Sequence, residues 1–296
     1  MNRRELIALS VVGLGVTACS QDKSKASVRT FSQIQSALSG FAVNVESWWS
    51  GLSFEDRFDK AGSSGFEHVE FWFIDSWKRN VKAIAKKAND AGVKISQIVA
   101  DSPALADSKN RENYLDNVKR AIENAKILGT DIVTVTGHQN VEGIASADAL
   151  KAYHDHMAAS AELWEEAQIY CAIEPFNPYD HPGHFIYGHA EALKICQDIN
   201  SSFVKLNWDL FHMQRHEGNL IANFEKGAEH VAYVQIADSP ARHQPGTGEV
   251  NYLPILNAVR GAGYNRPIGL ELWAKDKNYD VALEEIIQLG EALQSD

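Results

Sequence analysis

IYCAIEPFNPYDHPGHF, residues 169 to 185, begins as a short apolar run and turns polar at Glu174. A parallel strand buried on both faces is nearly all apolar, so an acid at its C-terminal end asks for an explanation. Upstream lies ADALKAYHDHMAASAELWEEA, residues 147 to 167, whose apolar positions recur at helical spacing. Downstream, VKLNWD at 204 to 209 is again an apolar strand closing on an acid, Asp209. Working outward, strand-like runs fall at 41–45, 66–72, 94–100, 131–136, 169–174, 204–209, 231–237 and 267–272. Helical patterns lie between them, among them 77–92 and 111–129; several end in Gly, as helices tend to, and the last spans 279–293. Eight strand–helix units over residues 40 to 296 fit an α/β fold of the (β/α)8 TIM barrel type, a single domain of about 250 residues. The alternative is a doubly wound open sheet. No G-x-G-x-x-G follows the first strand, which removes the usual dinucleotide fingerprint of that fold.

Composition narrows the partners. The 296 residues are 45% hydrophobic and 23% charged, ordinary values for a globular chain with a sizeable core. With 39 acidic residues against 28 basic, the net charge is -11 and no Lys/Arg run follows the first few residues. Nucleic acid is excluded as a partner on that ground, since phosphate binding needs concentrated positive charge. Cys19, Cys171 and Cys196 are too few and too widely spaced for a disulfide framework or a zinc site. Cys171 in a central strand and Cys196 on a helix read as buried thiols, although an exported chain could bridge them. His154 and His156, two apart on a helix, face different directions and read as surface residues.

The first segment reads as an address. Arg3 and Arg4 precede an apolar run from Leu6 to Val16 and then Val16-Thr17-Ala18-Cys19. Eleven residues are too few to span a bilayer but fit the core of an export signal. The small residues before Cys19 resemble a bacterial lipoprotein cleavage box, and the Arg pair a twin-arginine signal. Residues 1–18 are therefore expected to be a signal peptide, Cys19 the lipidated first residue, 19–39 a polar tether and 40–296 the barrel. The mature protein would be exported, lipid-anchored on the periplasmic side and attached to the membrane only through Cys19. A homo-oligomer is compatible with this reading.

Four strands end on polar residues: Glu174, Asp209, Gln235 (in Val234-Gln235-Ile236-Ala237-Asp238) and Glu271. In a barrel these ends converge on the face that carries active sites. Three carboxylates in one pocket repel unless protonated or neutralised by a cation. Carboxylate and amide oxygens suit Mg2+ or Mn2+ better than Zn2+. The loops beyond add His212, three residues after Asp209; Asp180, six after Glu174; and Arg242, seven after Gln235. His138 ends the fourth strand and Glu70 lies in the second. An Arg beside an acidic metal pocket can hold a substrate carboxylate bidentately.

EPFNPYDHPGHF (174–185) resembles the Glu-Pro-Ile-Asn…Asp-x-Pro-Gly stretch of the hydroxypyruvate isomerase family, within the xylose isomerase-like barrels. WDLFHMQRHEGN (208–219), VQIADSPARHQPGTGEVNY (234–252) and IGLEL (268–272) resemble its next three segments, and the likeness runs from about Phe41 to the last helix. The resemblance implies metal ligation by Glu174, Asp209, Gln235 and Glu271. It implies Glu174 and Glu271 as the acid/base pair, and contact of His212 and Arg242 with substrate oxygens. Three segments depart from it. ADSPALADSKNREN after the third strand lacks a Gly-Asp…Arg-Gly pattern, Leu272-Trp273-Ala274 replaces Tyr-x-Pro, and Gln244 stands where Glu is common.

The expected activity is a metal-dependent aldose–ketose type isomerisation through a cis-enediolate, as in the conversion of hydroxypyruvate to tartronate semialdehyde. Asp180, His138 and Glu70 are further candidates for contact with the small hydroxy-carbonyl or sugar substrate. Ketose 3-epimerisation, 2-oxo-tetronate isomerisation and keto-sugar lysis would use the same metal site. A non-catalytic sugar-binding lipoprotein would not need the four-ligand set.

Overall fold

Eight parallel strands pair in sequence order and close on themselves in the computed structural model, which describes residues 29–295. They are β1 (Phe41–Asn44), β2 (His68–Phe71), β3 (Lys94–Val99), β4 (Ile132–Val135), β5 (Tyr170–Ile173), β6 (Val204–Asp209), β7 (Val231–Gln235) and β8 (Ile268–Leu270). Ala42 stands opposite Gly269 where β1 meets β8 and closes the barrel. Every strand lies within a residue or two of its expected place, and the open-sheet alternative is removed.

The surrounding helices are α1 (Phe31–Leu38), α2 (Phe54–Ser63), α3 (Val81–Asp90), α4 (Arg111–Leu128), α5 (Ser146–Ala167), α6 (His189–Ile199), α7 (Leu210–His216), α8 (Leu220–Gly227), α9 (Tyr252–Gly261) and α10 (Tyr279–Ser295). The helix expected from residue 77 starts four residues later. Lys78 has φ +53°, outside helical geometry, and the Asn80 side chain accepts from Ala83 N at 3.1 Å as the cap. His156 is buried rather than exposed, its Nε2 3.1 Å from the Asp107 carbonyl oxygen, because α5 packs on that face against the loop after β3. Cys171 and Cys196 are both buried free thiols.

The tether expected over 19–39 is helix where the structure describes it. Thr30 and Gln33 form a reciprocal capping box at the start of α1, which buries Ala37 and Leu38. α10 approaches so closely that a side chain at Gly290 would collide with the Ala37 carbonyl oxygen. Arg29 pairs with Glu284 at 2.8 Å and Glu291 at 2.6 Å, both on α10. The folded domain therefore includes residues 29–39 as well as the barrel from Gly40 onward. The signal segment and Cys19 lie outside the described residues.

Inside the barrel, alternation along each strand stacks side chains in layers. A lower layer includes Ile132 and Tyr233. Two residues further along lie Asn44, Glu70, Gln97, Thr134, Asn207 and Gln235, all buried and polar. Hydrogen bonds between strands that are not neighbours cross this interior. Asn207 donates to Thr134 Oγ1 at 3.2 Å, and Gln235 Nε2 donates to Glu70 Oε1 at 2.9 Å. A further step of two brings Glu174, Asp209 and Glu271 to the C-terminal mouth.

Candidate active site

Each acid at the mouth is held differently. Asp209 ends β6 and caps α7, its Oδ1 accepting from Phe211 N at 2.9 Å, which leaves Oδ2 for the pocket. Three residues on, His212 lies on the same face of α7, with Nε2 3.5 Å from Asp209 Oδ2 and 3.7 Å from Glu174 Oε1. Glu271 follows β8 and accepts from Trp72 Nε1 at 3.1 Å and Gln235 Nε2 at 2.6 Å. Arg242 reaches across the mouth, Nη2 lying 2.9 Å from Asp209 Oδ2 and 3.4 Å from Glu271 Oε1.

Arg242 is held by a stitched loop. It adopts φ +57°, a strained value for a non-glycine residue, and Trp273 N donates to its carbonyl at 3.0 Å. Buried Asp238 organises the same loop by accepting from the backbone N–H groups of Gly246 (3.0 Å), Gly248 (2.8 Å) and Val250 (3.1 Å).

Electrostatics follow from packing three acids and one guanidinium out of water. Burial, with Glu271 and Asp209 nearby, lifts Glu174 well above the carboxylate range. Burial pushes Asp209 up to about 6, Arg242 pulling it back and Glu271 adding to the rise. Burial opposes the charge on Arg242, and Glu271, Asp209 and Glu174 outweigh it, so its pKa is raised. Burial and the Arg242 charge hold His212 well below the usual imidazole range.

The neutral His212 has a definite tautomer. Asn177 Oδ1 already accepts from Tyr179 N and Asp180 N, both at 3.0 Å, so its Nδ2 faces His212 Nδ1 at 2.7 Å. Nδ1 is then the acceptor and Nε2 carries the proton. That buried Nε2 has no partner of its own in hydrogen-bond geometry and points at Glu174 and Asp209. His212 is a donor to an oxygen placed in the pocket.

A divalent cation fits this set. Potential ligand atoms of Glu174, Asp209 and His212 lie within 4.8 Å of one another, and Asp209 and Glu271 as carboxylates leave, against Arg242, a net negative charge that a cation offsets. With His212 a donor, the oxygens that could hold such an ion belong to Asp209, Glu271 and the carboxyl group of Glu174. Gln235 presents its nitrogen to Glu70 and Glu271, while its oxygen accepts from Asn207 Nδ2 at 2.7 Å. Turning both amides would offer the Gln235 oxygen. Asn207 Oδ1, buried without a partner, is the acceptor that would take the displaced Gln235 Nε2.

The other expected contacts divide. Asp180 lines the cavity and pairs with Arg215 at 3.4 Å. His138 stands behind the wall, its Nε2 2.8 Å from the Glu174 carbonyl oxygen and its Nδ1 3.2 Å from His184 Nδ1. Glu70 is buried beneath the mouth on Asn44, Gln97 and Gln235, and is not among the lining residues. Neither His138 nor Glu70 is among the residues that line the cavity. Sequence reasoning missed Trp72, His181, His184 and Trp273, which line the cavity. Trp72 stands two residues after Glu70, so strand alternation could have marked it; the two histidines lie inside the quoted 169–185 stretch.

A closed barrel with carboxylates converging on its C-terminal mouth defines an enzyme of the TIM-barrel class. The family described as xylose isomerase-like TIM barrel matches residues 58–290, and the chain belongs to it. Hydroxypyruvate isomerase of Escherichia coli K12 is 29% identical over 237 residues, covering 78% of this chain and 92% of that one. 2-oxo-tetronate isomerase of Cupriavidus necator is 28% identical over 245 residues, covering 78% and 91%. A crystal structure described as AP endonuclease, family 2 from Brucella melitensis superposes with TM-score 0.74 at 25% identity, covering 79% and 93%. The chain is an isomerase.

Proposed function

We propose that this isomerase is divalent-metal dependent and acts on α-hydroxy carbonyl compounds through a cis-enediolate. The observation that carries the reading is the convergence of Glu174 and Glu271, which follow β5 and β8, on one cavity wall with His212 and Arg242, Asp209 lying against the latter two. The chemistry a bound Mg2+ or Mn2+ would supply is polarisation of the carbonyl and its neighbouring hydroxyl, which acidifies the C–H between them. Glu271, held in place by Trp72, Gln235 and Arg242, is the base that takes this proton. Glu174, kept protonated by burial and its acidic neighbours, returns a proton to the adjacent carbon. His212 Nε2–H steadies the oxygen that gains charge. The relatives' names supply the first substrates to try, hydroxypyruvate and 2-oxo-tetronate, and any carbonyl beside a carbinol carbon presents the same reacting unit.

Glu271→Gln keeps the shape and removes the base. Turnover should fall by about 10²- to 10⁴-fold, with Mn2+ retained in a binding titration. A near-normal rate in that variant would sink the assignment. The N-terminal segment supports export with a lipid anchor at Cys19, and radiolabelled palmitate incorporation in a bacterial host tests it. Labelling should vanish in Cys19→Ala, and an unlabelled parent chain would refute the anchor.

A further inference from the structure

Beyond the acid cluster the site opens into a cavity of about 660 Å³. Hydroxypyruvate, with seven non-hydrogen atoms, fills roughly 200 Å³ even at water's share of about 30 Å³ per atom. Most of the cavity is built for something larger.

Its charge points the same way. Among the described residues, Arg242 is the only Lys or Arg that lines the cavity, and its grip is already used. Nε donates to the Glu271 carbonyl at 3.2 Å, and Nη2 serves Asp209 and Glu271 at 2.9 and 3.4 Å. A two-pronged hold on a substrate carboxylate needs two free nitrogens, and only Nη1 remains outside these contacts. Asp180, Glu174 and Glu271 share the wall and oppose a second anion. Val99, the last residue of β3, lines the wall, and the segment after it, where the family pattern is missing, adds no cation to it. His181 and His184 add no positive charge near neutral pH, burial holding His181 at about 4 and His184 below its ordinary value.

What the wall offers instead is aromatic surface. Trp72 and Trp273 lie with ring centroids 6.4 Å apart, Trp77 is 6.2 Å from Trp72, and Phe73 and Phe176 continue the lining. Trp273 is 40% exposed, an unusual setting for an indole unless something covers it. Flat aromatic faces beside scattered polar groups suit the C–H faces and hydroxyls of a sugar.

We propose that the substrate is an uncharged polyhydroxylated ketone of about six or more carbons, a free ketohexose or a keto-glycoside, seated against Trp72 and Trp273, rather than a short keto acid. The proposal rests on the isomerase reading above, since the same carbonyl and neighbouring hydroxyl meet Glu174 and Glu271.

The test is deuterium incorporation from D2O by the full chain loaded with Mn2+, read by mass spectrometry beside the carbonyl. Two free ketohexoses (D-fructose and D-psicose), methyl 3-keto-glucopyranoside and hydroxypyruvate are compared at equal concentration. At least one uncharged compound should exchange roughly ten- to a hundredfold faster than hydroxypyruvate, the factor expected where a charge-assisted contact is missing. Which of the two uncharged arms exchanges identifies the source of the ketone. Trp273→Ala should raise KM for that compound by about tenfold. Faster exchange with hydroxypyruvate than with every sugar, or an unchanged KM in Trp273→Ala, overturns this proposal and leaves the isomerase reading standing. Exchange with none of the four compounds overturns the isomerase reading itself.

Discussion

Replacing Glu70 by Gln probes the polar layer beneath the active site. Glu70 is fully buried, and its carboxyl is pushed from the ordinary 4.5 up to about 8, by burial first and then by Glu271. Between those two pH values the unfolded chain has released this proton while the folded chain still holds it. The stability this group contributes is thus fully present below about pH 4.5 and declines as pH rises toward 8, by about 1.4 kcal/mol per unit and on the order of 5 kcal/mol in all. Gln is neutral throughout, so the variant loses that slope. Its amide oxygen can accept from Gln235 (2.9 Å) and Asn44 (3.0 Å) as Glu70 Oε1 does. Its NH2 would face Gln97 Nε2, 3.5 Å from the present Oε2, at a cost of about 1 kcal/mol. Urea unfolding with metal chelated should find Glu70→Gln the less stable protein near pH 5 and the more stable one above about pH 8. Parallel stability curves for the two proteins across that range would refute the argument.

Two further outcomes follow from the same geometry. Gly269 leaves room for the layer: a Cβ there would collide with Glu70 Oε2 and lie 2.7 Å from Gln235 Cγ. Gly269→Ala should cost about 1–3 kcal/mol in urea unfolding and weaken Mn2+ binding about tenfold in a titration; wild-type values for both would remove Gly269 from this role. Protons compete with a cation for Asp209, whose carboxyl burial lifts to about 6, so Mn2+ affinity should rise from pH 5 to pH 8. Affinity that stays flat across that range would argue against Asp209 as a ligand.

Periodicity made the barrel legible: short apolar runs alternating with helical patterns located all eight strands, with ends shifted by a residue or two. The helix at 81–90 began late because Lys78 took a left-handed conformation, a choice that local sequence does not announce. Helix α1 was hidden because its polar face, read alone, looks like tether; only α10, with Gly290 allowing close approach, explains why Ala37 and Leu38 are buried. Glu174, Asp209 and Glu271 were visible as acids at the ends of apolar strands, since a strand buried on both faces tolerates an acid only at its mouth.

By itself, then, the sequence determined the fold class, the converging acids and their kinship with a family of isomerases, because strand period and strand-end polarity are local properties. Tertiary structure decided the roles. From the sequence, Glu70 stood as a candidate substrate contact by its place in the second strand, and Arg242 by the family resemblance. Burial places Glu70 under the site, and a loop anchored by Asp238 commits Arg242 to Asp209 and Glu271. The tautomer of His212 depends on Asn177, 35 residues away in the chain. The aromatic wall joins Trp72, after β2, to Trp273, after β8; closure of the barrel, which makes those two strands neighbours of β1, brings the two rings together.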